Sequence, residues 1–206
     1  MGELKKDEQQ ARPMSGRAFL SRAGNVRAPG WKEHIVFWSI AVSGLALDLW
    51  SKSAVFNWLA GLNDNRYSLI DGFLHLEMAL NSGAAFGKFQ GQYHLLIAVS
   101  MVALVVIFWV FLFGGRKPQL TNIALALFAA GVCGNLHDRV FNDGLVRDFV
   151  DVVYWPGRHW PAFNVADTML CVAVGLLIIS SLFSPTSSQT HGRQRKGEHL
   201  TPHQGQ

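Results

Sequence analysis

Residues 134–167 read GNLHDRVFNDGLVRDFVDVVYWPGRHWPAFNVAD and set Asp138, Asp143, Asp148, Asp151 and Asp167, with Asn135, Arg139 and Asn164, between two strongly apolar segments. An isolated ionised carboxylate is costly near hydrocarbon, so acids in such a setting usually face a bundle interior or a watery cavity and mark function. Two of these acids differ from the rest in their surroundings. Asp148 stands in VRDFVD, where apolar residues alternate around the charge as in a short strand or sharp turn, and Asp167 stands in FNVAD at the mouth of a long apolar run. If a fold brings them together, each disfavours ionisation of the other, so one stays protonated and the other charged. Such a pair can hydrolyse an amide. The ionised member takes a proton from water while the protonated member polarises the scissile carbonyl.

Outward from this stretch the chain is apolar. Half of its 206 residues (50%) are hydrophobic and only 16% are charged, which is too apolar for an ordinary soluble domain of this length. Four segments, about 34–60, 94–114, 121–141 and 163–183, are each long enough at about 1.5 Å per residue to cross a hydrocarbon core of about 30 Å. The expected fold is an all-α membrane protein with four transmembrane helices in one domain, 34–183, and a small extracytoplasmic β-like cradle between the first two helices. Residues 1–33 and 184–206 are polar and basic, cannot build a core, and are expected to be disordered cytoplasmic extensions.

Basic residues cluster before the first segment, between the second and third at Arg116 and Lys117, and after the fourth at Arg193, Arg195 and Lys196. The positive-inside rule therefore predicts that both termini face the cytoplasm and that the acid-rich loops face outward. Depth agrees with a shared site. Asp48 and Asn135 each lie about fourteen residues, roughly 21 Å, above the inner end of their segments, and Asp167 lies roughly 24 Å up. The net charge of +4 does not point to nucleic acid, because the basic residues flank apolar runs and form no RNA-binding motif. Cys133 and Cys171 sit in apolar segments without paired spacing and read as small buried residues.

Two further groups admit two readings each. Asp48 and Lys52 are four apart on one helix face in acid-before-base order, either as a self-contained structural ion pair or as support for the site. NSGAAFG (81–87) is either a plain turn or a loop whose glycines let another chain approach the backbone. Asp143 and Asp151 read as solvated loop or structural acids. A zinc hydrolase built on His75, His94, His137 and His159 is disfavoured by the lack of HExxH or another close ligand spacing. A proton or solute pathway would continue its polar residues towards the cytoplasmic side, which this chain does not.

Five motifs in order, LDLWSK (47–52), NSGAAFG (81–87), GNLHDR (134–139), VRDFVD (146–151) and WPAFNVAD (160–167), resemble those of the bacterial lipoprotein signal peptidases, signal peptidase II, over roughly residues 35–183. The resemblance implies an intramembrane aspartic endopeptidase of the bacterial cytoplasmic (inner) membrane. Such an enzyme removes signal peptides from diacylglyceryl-modified prolipoproteins, cutting before the lipidated cysteine. It implies Asp148 and Asp167 as the catalytic pair. Asn135, Arg139 and Asn164 would hold substrate carbonyls or orient the carboxylates, and Asp48, Lys52, Asn81 and Asp138 would support them. No metal or other cofactor is expected. The expected partners are the lipidated substrate and membrane lipid, with the chain itself a monomer. Two features depart from the family pattern: the long N-terminal extension, and VFND (140–143) before Gly144, one residue longer than the family's turn.

Overall fold

The structure is a computed structural model that describes residues 28–83 and 89–183. Most of the two expected disordered extensions, and residues 84–87 of NSGAAFG, lie outside the described residues. Four apolar helices, α1 (Trp31–Leu59), α2 (Tyr93–Phe113), α3 (Gln119–Phe141) and α4 (Val165–Phe183), carry four strands, β1 (Arg66–Ile70), β2 (Leu74–Asn81), β3 (Val146–Trp155) and β4 (Arg158–Phe163). With 19 to 29 residues each, the helices run roughly 28 to 43 Å. Each is long and apolar enough to cross a membrane, and α2 reaches a mean hydropathy of 3.0. Their outward faces fit that setting, with Val102, Val105, Trp109 and Leu182 all exposed. Such a surface is ordinary against lipid and unfavourable against water.

α3 is the centre of the bundle because its residues are small. Ala124, Ala126, Ala129 and Ala130 are almost fully buried and let α1, α2 and α4 pack closely around it. Away from the sheet, Phe37 of α1 stacks on Phe111 of α2 at 4.0 Å, over Leu125, Ala126 and Ala129 of α3. Thr121 and Ser180 hydrogen-bond at 2.7 Å and tie α3 to α4 at that end. Closer to the sheet, Gly134 is required. A Cβ there would run into the Asp48 carboxylate, so the glycine opens the space in which that acid reaches α4.

The strands correct the all-α expectation. They form one antiparallel sheet in the order β1-β2-β3-β4, so the cradle is twice what the segment between α1 and α2 could supply. Its other half is the hairpin between α3 and α4, which includes VRDFVD. The turn before Asp148 is made by left-handed backbone at Asp143 (φ 50) and Gly144 (φ 83). At Gly144 a Cβ would also meet the Tyr93 side chain at 2.7 Å. Asn142 Nδ2 donates to the Leu145 carbonyl at 3.1 Å and closes the turn, so that β3 begins at Val146.

Candidate active site

The start of α4 organises the polar layer. A helix N-terminus leaves amide hydrogens unpaired and carries partial positive charge, and both attract carboxylates. Asn164 stands just before α4 and accepts from the Asp167 amide at 3.0 Å, while its own amide donates to Asp167 Oδ2 at 3.2 Å. This reciprocal capping arrangement locks the Asp167 side chain to the helix end. The Ala166 amide is taken from a different element, donating to Asp48 Oδ1 of α1 at 2.8 Å. Asp167 Oδ1 in turn accepts from Asn135 Nδ2 of α3 at 2.8 Å.

Beneath this end lies a fully buried ionic cluster. Asp48, Lys52 and Asp138 have essentially no exposure. Lys52 Nζ lies 2.8 Å from Asp48 Oδ2 and 3.4 Å from Asp138 Oδ2, and donates to Asn135 Oδ1 at 3.0 Å. Asp138 is also held by Arg147, whose Nη2 donates to Oδ1 at 2.7 Å and whose backbone amide donates to Oδ2 at 3.0 Å. Charges this deep are tolerable only when paired and hydrogen-bonded. Here two acids meet two bases.

Asp148 reaches the layer from β3. It is 2% exposed. Its Oδ1 accepts from Asn164 Nδ2 at 2.6 Å and its Oδ2 from Asn81 Nδ2 at 3.0 Å. Asn81 can do this because of a bulge. Leu76 pairs with Val150 but Ala79 pairs with Asp148, so β2 spends one more residue than β3. One extra residue reverses which side chains face which way, and it turns Ala79 and Asn81 onto the face of Asp148. The Gly83 amide donates to Asn81 Oδ1 at 2.9 Å, which aims the amide nitrogen at Asp148. Arg139 Nη2 holds the Gly83 carbonyl at 2.8 Å.

Asp148 and Asp167 are thus linked through Asn164 and Asn135, which are themselves bonded at 3.1 Å. The Asp148 carboxyl is pushed up to about 7, first by burial and then by the charge of Asp167, against the opposing hydrogen bonds of Asn81 and Asn164. Both acids line a cavity of about 630 Å³, with Asn81 and Arg139 beside them and Trp160, Phe163 and Leu170 among its apolar walls. An extended peptide segment bearing apolar groups fits such a space.

All nine residues singled out from the motifs therefore lie in one network: Asp48, Lys52, Asn81, Asn135, Asp138, Arg139, Asp148, Asn164 and Asp167. Of the acids set aside, Asp143 is exposed in the turn. Asp151 follows the structural alternative: it is 1% exposed and binds Arg66 and His159 at 2.8 and 2.7 Å across the sheet. That contact occupies His159, and His137 packs against the Phe141 ring. Cys171 is an exposed wall of the cavity, contrary to the expectation of a buried residue. The sequence reading missed Arg147 as a partner of Asp138. The only signal was its place beside Asp148, which says nothing about a contact back to α3.

Residues 40–183 match the family model described as signal peptidase (SPase) II. The chain is 36% identical over 164 residues to a lipoprotein signal peptidase of Rhodopirellula baltica, covering 72% of each chain. It is 37% identical over 147 residues to one of Bacillus pumilus, covering 71% of this chain and 92% of that one. A solved bacterial membrane enzyme superposes with a TM-score of 0.63 at 26% identity, covering 80% of this chain and 94% of that one.

Proposed function

The chain belongs to the signal peptidase II family, aspartic peptidases that remove signal peptides from prolipoproteins, and on that premise we propose that Asp148 and Asp167 are its working carboxylates. The observation that carries this reading is their linkage through Asn135 and Asn164 on the wall of one largely apolar cavity. Around the pair, among the described residues, four carboxylates (Asp48, Asp138, Asp148, Asp167) meet three cations (Lys52, Arg139, Arg147), so this group of side chains is neutral when the pair holds one proton. With the Asp148 carboxyl raised to about 7, that state persists up to about neutral pH, and the proton belongs to the pair.

In this state the ionised carboxylate removes a proton from water as its oxygen attacks the scissile carbonyl. The protonated carboxyl donates to the carbonyl oxygen, where charge develops. Collapse of the tetrahedral intermediate breaks the C–N bond as the proton taken from water passes to the leaving amine and the proton given to the carbonyl oxygen returns to its carboxylate, which restores the pair. Asn135 and Asn164 keep the carboxylates in register. Arg139 anchors the Gly83 loop and presents its cationic edge to the cavity.

The four helices cross the cytoplasmic membrane of a bacterium, with both termini inside. Residues 34–183 are the peptidase domain and the extensions are cytoplasmic. The polar layer then sits at the extracytoplasmic face, at the depth where a peptide emerges from its lipid anchor. The substrate is a diacylglyceryl-modified prolipoprotein cut before the lipidated cysteine, and the enzyme works as a monomer without metal. The test is cleavage by purified protein of the lipidated and unlipidated forms, with Asp148→Asn and Asp167→Asn, with and without chelator. Cleavage of the lipidated form alone, lost in both variants and indifferent to chelator, supports the reading. Activity that survives either substitution refutes the dyad.

A further inference from the structure

Arg147 has no part in the reaction as described, yet it is the most heavily tethered residue next to a reacting group. Successive side chains of a strand point to opposite faces, so Arg147 faces away from Asp148, and it is not among the cavity walls. Its guanidinium grips Asp138 of α3 through Nη2 at 2.7 Å and Nε at 3.3 Å, and reaches Ser53 Oγ of α1 through Nη1 at 3.3 Å. Its backbone is held from both sides as well. The amide donates to Asp138 Oδ2 at 3.0 Å, and the carbonyl accepts from Asn164 Nδ2 at 3.3 Å, the same nitrogen that binds Asp148.

From this geometry we infer that Arg147 is a positioning residue for hydrolysis: a strut from α3 and α1 that fixes the start of β3 and with it the Asp148 carboxylate. The inference rests on the reading of Asp148 as a working carboxylate. A lysine could supply the charge but not the planar two-point grip. Arg147 also balances Asp138. Among the described residues, the charged groups around Asp148 are Asp167 from α4, Lys52 from α1 and Arg139 from α3. With Arg147 neutralised, Asp138 draws Lys52 away from Asn135, and the layer gains net negative charge. The pair then ionises less readily.

The experiment measures kcat, KM and the pH profile of kcat with a lipidated prolipoprotein for Arg147→Gln and Arg147→Lys. Arg66→Gln serves as the comparison, since it breaks an equally short arginine–aspartate contact to β3 at Asp151, outside the layer. For Arg147→Gln, kcat is expected to fall roughly 10- to 100-fold, as misplacement of a reacting group does. KM should stay within about twofold, since no cavity wall changes, and the acid limb should move to higher pH. Arg147→Lys should restore the acid limb but only part of kcat. Arg66→Gln should change thermal stability without moving the acid limb. An Arg147→Gln enzyme with unaltered kcat and acid limb overturns the inference, as does one whose loss lies wholly in KM. If Arg147→Gln does not fold, an Arg147→Lys enzyme with full kcat overturns it and one with reduced kcat supports it. Asp148→Asn is run alongside. Activity in that variant would sink the dyad itself, whereas its inactivity beside an unaffected Arg147→Gln enzyme would sink the strut alone.

Discussion

Replacing Asp148 by asparagine should inactivate the protein and at the same time stabilise it above neutral pH. The folded protein raises the Asp148 carboxyl from 3.8 to about 7. Between these values the native state binds a proton that the unfolded chain has lost, so native stability falls as pH rises through this window and levels off above about 7. A shift of about three units corresponds to roughly 4 kcal/mol of cost carried by the ionised carboxylate at pH 8. Asparagine does not titrate and avoids this cost. It keeps one acceptor for the short bond from Asn164 (2.6 Å) but turns its own amide towards Asn81, which returns about 1–2 kcal/mol. The net gain is about 2–3 kcal/mol at pH 8, and at pH 4 the gain vanishes and only the hydrogen-bond loss remains. The assay is thermal unfolding in detergent of both proteins from pH 4 to pH 8.5. A difference in Tm that opens with pH and flattens above about 7 is the expected result. A variant less stable than the parent at pH 8, or a difference independent of pH, refutes the reasoning.

Lys52→Met leaves Asp48 and Asp138 buried with less compensation, and should cost about 3–5 kcal/mol, read as a loss of Tm or of folded yield. Gly134→Ala drives a methyl into the Asp48 carboxylate and should cost about 1–3 kcal/mol, with activity falling as the Asp48 bond to the Ala166 amide is displaced. Asn81→Ala removes a hydrogen bond that favours the charged form of Asp148. Its kcat should drop about 10- to 150-fold, roughly 1.5–3 kcal/mol, and the alkaline limb, set by loss of the pair's last proton, should move to higher pH; an alkaline limb moving to lower pH would contradict the assignment.

The sequence by itself determined the four apolar segments and the clustering of acids at their ends, because hydropathy and chain length are local properties that a membrane reads directly. The depth argument for Asp48, Asn135 and Asp167 was also legible, since rise per residue converts position on a helix into height. Their bonds agree with a shared layer: Asn135 touches Asp167, and Asp48 touches the amide next to it. What only the tertiary structure decided depends on pairing between distant segments. No local pattern shows that β2 and β3, some seventy residues apart in the chain, lie side by side, or that one extra residue between Leu76 and Ala79 turns Asn81 towards Asp148. The same holds for Asp151, which looks like a loop acid until β1 and β4 bring Arg66 and His159 against it, and for Arg147, whose grip on Asp138 exists only because the Gly144 turn folds β3 back onto the end of α3. Side-chain charge is written in the sequence, but whether a charge is buried and what opposes it are set by neighbours that only the folded chain supplies.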